Sequence, residues 1–131
     1  APTAHFVNLP AQVYGSQVEV RWDGVQSPDI SAIPGGTYQL RFDIQAQQGA
    51  DGEWTDWRLD QSAGSALFRP APFKGSVTYY FRVHARAEQP PGSNGAWPDH
   101  HYVGVWTQSG PVTFVNELLG SPKAYLPSVQ G

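Results

Sequence analysis

The chain of 131 residues has no cysteine, no methionine and only eight basic side chains. Without cysteine there is no disulfide, no thiolate metal site and no cysteine nucleophile. The compartment stays open, because a domain with a full core folds outside the cell without disulfide staples. Eight Lys and Arg against eleven Asp and Glu leave a net charge of −3, which is no footprint for nucleic acid. No apolar run is long enough to cross a bilayer as a helix. Charged residues make up only 15% of the chain, too few for a disordered polyelectrolyte. The missing initiator methionine predicts a chain that begins after processing or is a fragment. Ala1-Pro2-Thr3-Ala4 would suit the mature side of a signal-peptidase cut.

What the chain does have is apolar and turn-rich. Hydrophobic residues reach 40% and aromatics 13%, with five Trp, and there are 14 Gly and 12 Pro. Such a mix suits one domain of many short strands joined by tight turns, not a helical bundle. Alternation with period two marks the strands. Val18, Val20 and Trp22 share one face; Gln17, Glu19 and Arg21 share the other, and Asp23-Gly24 reads as a turn. Tyr38, Leu40, Phe42 and Ile44 alternate with Gln39, Arg41, Asp43 and Gln45. A turn at 48–52 brings back a strand over 53–59 that carries Trp54 and Trp57. These two Trp lie an odd number of residues apart, so in a regular strand at least one faces outward. Residues 65–69 make a short strand around Leu67. Over 78–87, Tyr79, Phe81, Val83 and Ala85 go inward, and Tyr80, Arg82, His84 and Arg86 go outward. Extended structure resumes over 102–106 and 111–115. Residues 1–10 read as an edge strand or an arm, 11–115 as the β-sandwich, and 116–131 as a tail containing Pro and Gly.

Four pieces in this order resemble the fibronectin type III pattern. Gly75-Ser-Val-Thr-Tyr79-Tyr80-Phe81-Arg82-Val83-His84-Ala85 is similar to its P-G-x-x-Y-x-F-R-V-x-A stretch. Trp22 sits where that family keeps a buried Trp on its second strand. Tyr38 matches the tyrosine opening the third, and Trp106-Thr-Gln-Ser-Gly-Pro resembles the W-S-x-P before the last. The resemblance covers residues 5–115. It implies an all-β, seven-stranded antiparallel sandwich of fibronectin type III or immunoglobulin-like form, here with extended N- and C-terminal arms. It also implies a tyrosine corner, in which the Tyr79 hydroxyl ties back to upstream backbone. Trp22, Tyr38 and Tyr79 are then structural. Trp106 would stack on Arg82 or Arg86, as in the Trp–Arg ladder of cytokine-receptor members of the family. The loop after the Tyr79 strand, with Trp97, His100 and His101, is longer than the family's, and both tails lie outside its pattern. Gly52-Glu-Trp54-Thr-Asp-Trp57 looks like modules of large secreted bacterial proteins. Lys123-Ala-Tyr125-Leu126-Pro127-Ser-Val129 looks like the Y-L-P-x-V tail of secreted proteins from filamentous phototrophic bacteria.

Reactive chemistry is sparse. Asp99-His100-His101 is the compact acid–imidazole cluster, but adjacent side chains on an extended loop point apart. A metal there needs a further ligand such as Asp23 or Glu88. No serine stands in a G-x-S-x-G elbow, and a triad is decided by geometry. Asp51, Glu53, Asp56 and Asp60 crowd one hairpin, where they either hold calcium or block edge-to-edge pairing. These features predict a protein with no catalytic set, no metal and no cofactor.

The expected function is that of a secreted, non-catalytic structural protein of the cell surface. It would polymerise head to tail through its termini into a fibre or sheath, with itself as partner. Phe6, Val7, Leu9, Tyr125, Leu126 and Val129 would be the assembly contacts. The alternative is a carbohydrate-binding or adhesive accessory module for a cell-surface or matrix polysaccharide, with Trp54, Trp97 and Tyr102 as a stacking platform. A small hydrolase using His100 or His101 ranks last. Neither nucleic acid nor a membrane span is expected.

Overall fold

The computed structural model describes residues 1–26, 39–88 and 103–116. These form an all-β, sandwich-like structure. Its strands are β1 (Thr3–Phe6), β2 (Gln12–Tyr14), β3 (Val18–Val25), β4 (Gln39–Gln48), β5 (Thr55–Gln61), β6 (Gly64–Phe68), β7 (Ser76–Glu88), β8 (Thr107–Gln108) and β9 (Val112–Val115). One sheet runs β1-β3-β6. The other runs β2-β9-β7-β4-β5, with β8 also on β7. Among the described residues no helix is long and apolar enough to cross a membrane.

The strands form where the alternation places them. Val18, Val20 and Trp22 of β3 are buried between exposed Glu19, Arg21 and Asp23. β4 and β7 pair from Gln39↔Glu88 to Gln48↔Tyr79 and make the centre of the larger sheet. Their inner faces supply Phe42, Ile44, Phe81 and Val83, all fully buried. The Phe68 ring of β6 closes the core from the opposite sheet. It meets Phe81 at 4.8 Å and Tyr79 at 4.9 Å, both edge to face. Such pairs contribute about 0.5–1.5 kcal/mol each beyond the area they bury. Trp57 reaches the same cluster, 5.3 Å from Phe68 and 6.3 Å from Trp22. Trp22 donates its indole N–H to the Ser62 carbonyl at 2.8 Å.

Several boundaries differ from those expected. Asp23-Gly24 does not turn. β3 runs on to Val25 because β1 pairs along it, from Thr3↔Val25 to Phe6↔Trp22. Glycine is required at 24, since a Cβ there would strike the Thr3 carbonyl and come within 2.8 Å of the Phe42 ring. Residues 3–6 are thus an edge strand of the sandwich and not an extended arm. Ala4 is buried, and Phe6 packs on Phe81 at 6.4 Å. Asn8, at φ 52, and Pro10 end this strand, and β2 crosses over to pair parallel with β9. Gly110-Pro111 similarly separates β8 from β9, because proline lacks an N–H for the ladder. Nine strands among the described residues, where seven were expected, follow from the pairing of the N-terminal segment as both β1 and β2; of the strand expected over 102–106, Val103 makes an isolated bridge to Arg86, and β8 begins only at Thr107. Tyr79 lies buried as expected of a core tyrosine, but its hydroxyl faces the Gln48 side chain at 3.5 Å. That replaces the backbone tie of a tyrosine corner.

Candidate functional site

Two surfaces stand out: the outer face of the larger sheet, and a cleft between the sheet edges. The strand registers set Gln45 opposite Arg82, Asp43 opposite His84 and Arg41 opposite Arg86, all turned away from the core by the period of two. Trp106 lies flat on His84, with ring centroids 3.9 Å apart and planes at 14°. The rings of both Trp106 and Trp54 are centred 4.5 Å from the Arg82 guanidinium carbon. Arg82 Nε donates to Gln45 Oε1 at 2.8 Å, and Gln45 Nε2 donates to Asp56 Oδ1 at 2.8 Å. β8 anchors Trp106 in this position. The Ser109 N–H donates to the Phe81 carbonyl at 2.7 Å, and the Phe81 N–H donates to Ser109 Oγ at 3.0 Å.

Asp43 is the hub of the lower half of this ladder. Its carboxylate accepts from Arg86 Nε at 2.7 Å and Nη2 at 3.3 Å, and from the Asp60 N–H at 2.9 Å. His84 Nε2 lies 2.6 Å from its second oxygen. Burial pushes the Asp43 pKa up, but the hydrogen bonds from Arg86, the Asp60 backbone and His84 outweigh burial. They hold it below the ordinary 3.8. The Arg86 pKa is raised, chiefly by the hydrogen bond to Asp43, against the cost of burial. Arg86 also binds Glu88 at 2.6 Å and Asp60 at 3.1 Å. Donors and acceptors here satisfy one another, so the chemistry of this face is charge compensation and stiffening. Asp43 has no basicity to spare at neutral pH.

The cleft, of about 530 Å³, opens between β5 and β6. Trp57, Phe68, Tyr79 and Ala46 line its apolar part; Gln48, Glu53, Thr55 and Asp56 line its polar part. A smaller hollow of about 380 Å³ lies beside Trp22, Arg21 and Ala63.

The structure brings Trp54, Arg82 and Trp106 together, and gives Arg86 to Asp43 rather than to a Trp. Trp54 and Trp57 part to opposite faces, so Trp54 offers a saccharide only a ring already engaged by Arg82. Phe6 and Leu9 pack against the chain's own core, and Val7 bonds through its N–H to the Arg21 carbonyl at 3.1 Å. Tyr38, Trp97, Tyr102, Tyr125, Leu126 and Val129 lie outside the described residues, as does Asp99-His100-His101. Among the described residues no three His, Asp or Glu side chains converge as a metal set. On the acidic hairpin, Asp60 instead pairs with Arg86 and Asp56 accepts from Gln45. The hub role of Asp43 was not legible in the sequence. Its one signal was an acid on the outer face of a central strand, with Arg82, His84 and Arg86 on another strand's outer face. A comparison with protein-family models finds no match for this chain, nor does a comparison with curated proteins.

Proposed function

We propose that this chain is a non-catalytic extracellular structural module, fibronectin type III-like in fold, that self-assembles head to tail into a surface fibre or sheath. Support for the fold comes from Trp22 buried on β3, Tyr79 buried on β7 and the Arg82–Trp106 stack over the outer face. The ladder locks that face into a rigid plate whose charges are spent on one another. Rigidity of this kind suits a load-carrying part.

The observation that carries the assembly is the cleft between β5 and β6. Its aromatic floor is left open by the described residues, and open apolar grooves rimmed by polar groups serve as seats for partners. Phe6 and Leu9 pack in part against the chain's own core, so the proposed contact rests more on Tyr125, Leu126 and Val129. The C-terminal segment becomes the connecting element.

Sedimentation velocity of the full chain over a wide range of concentration tests this. Species that grow beyond a dimer as concentration rises are expected. A single 14.3 kDa species at every concentration overturns the assembly, and its retention on polysaccharide would favour the adhesive alternative.

A further inference from the structure

We propose that the free edge of β6 takes an added strand. An extended, basic segment of a different polypeptide hydrogen-bonds along Gly64–Phe68 and lays its apolar side chains in the cleft between β5 and β6. This goes beyond the self-assembly proposed above. A strand seated there competes with the next subunit for the same cleft and ends a growing fibre.

The two sheets end on β1, β6, β2 and β5, and three of these edges are blunted. β1 lies between Pro2 and Asn8, whose φ of 52 turns the chain away. β2 is only three residues long and follows Pro10-Ala11. β5 is bulged against β4 and carries Asp56, Arg58 and Asp60. Proline, bulges, shortness and charge are the devices that stop a foreign strand from pairing. β6 has neither proline, bulge nor charge. It pairs with β3 in unbroken register from Val18↔Phe68 to Trp22↔Gly64, and its Leu67 is 48% exposed. Its other edge is unpaired among the described residues. In an antiparallel pair alternate residues bond to the partner strand, so about half of the β6 residues turn their N–H and C=O outward.

The cleft supplies the rest of a strand seat. The smaller sheet stops at β6, while the larger carries β5 beyond β4. Trp57 of β5 stands 5.3 Å from Phe68 of β6. A fourth strand at the usual spacing of about 4.8 Å from β6 therefore lies over the cleft that Trp57, Phe68 and Tyr79 line. Main-chain hydrogen bonds then give affinity, and every second side chain enters the cleft to give specificity. Charge sets the occupant. Glu53 and Asp56 are the charged lining residues, and no basic side chain lines the cleft. Glu53 has no hydrogen-bond or ion-pair partner among the described residues, and Asp56 accepts only from the neutral Gln45. Arg58 stays outside the lining, its guanidinium carbon 5.3 Å from the Trp57 ring centre. The chain itself carries a net charge of −3 with only eight Lys and Arg, so the complementary strand is a basic segment from elsewhere.

The probe is the blocked peptide V-T-F-T-V-T-K, whose alternation puts valine, phenylalanine and lysine on one face. Amide hydrogen exchange of the full chain, followed by NMR, reads the seat. Alternate amides within 64–68 should slow about tenfold at about ten times the dissociation constant. Binding that leaves those amides unprotected overturns the seat, as does no binding at about 1 mM. The same peptide with N-methylated interior amides keeps its side chains and loses its donors; equal binding overturns strand addition. Ending the peptide in glutamate should weaken binding by about fivefold. A Glu53→Gln, Asp56→Asn double variant should erase that difference, and a difference that persists overturns the charge pairing. If the amides of 64–68 become protected as protein concentration rises with no peptide present, the edge belongs to a second copy and the separate partner is overturned. Light scattering on the same samples separates this proposal from self-assembly. Peptide bound to a chain that never polymerises leaves the strand seat standing and sinks the assembly. Polymers unchanged by bound peptide sink the competition.

Discussion

Replacing Asp43 with Asn keeps the shape of the side chain and removes its charge. The carboxylate is only 14% exposed and Arg86 24%, so solvent screening is modest. Hydrogen bonds to a charged group contribute about 1.5–3 kcal/mol net each. Asn still offers one oxygen, so Asp43→Asn should lose part of the Arg86 and His84 contacts, about 2–3 kcal/mol in all. Scaling between the small and large domain values, at about 4 °C per kcal/mol, puts the fall in Tm at about 8–12 °C at neutral pH. The pH dependence carries a sign. The folded Asp43 pKa is depressed below 3.8, so its stabilisation is fully present above about pH 4. It is lost as pH falls through the folded value. Thermal denaturation of wild type and Asp43→Asn followed by circular dichroism should therefore show a gap that is wide at pH 7 and narrows below pH 4. A gap under 1 kcal/mol, or one that does not change with pH, would refute the hub role of Asp43.

Trp106→Ala removes the stack on His84 and the cation–π contact with Arg82. It should cost about 1–2 kcal/mol and weaken the near-UV circular dichroism, while the far-UV spectrum stays as it was. Gly24→Ala forces a collision with the Thr3 carbonyl and the Phe42 ring. Hydrogen exchange should show β1 freed from β3, with amide protection lost over residues 3–6. Phe81→Ala empties a site whose ring meets Phe68, Trp57 and Phe6. It should destabilise by about 3–5 kcal/mol in urea titration; a loss below 1 kcal/mol would mean that the ring is not central to the core.

Alternation made β3, β4 and β7 legible, because one face of each is buried and a slip of one residue would invert it. The odd spacing of Trp54 and Trp57 likewise foretold their parting to opposite faces. The docking of β1 was hidden, since its partner lies some twenty residues away and the glycine that permits it answers to Phe42 on another strand. The ladder was half legible. Outward Arg82 and a later Trp106 suggested a stack, but only the register of β4 against β7 sets Asp43 opposite His84. The Tyr79 spacing matched a tyrosine corner, yet spacing carries no information on where a hydroxyl finds its acceptor. The cleft was illegible for a like reason. It is made by two strand edges meeting, and no single strand's pattern records that.

The most direct test is the native mass of untagged 1–131 by light scattering, with negative-stain images of the same sample. Self-assembly through the cleft predicts long, regular polymers. A clean monomer at 14.3 kDa under conditions where the protein is folded would contradict it.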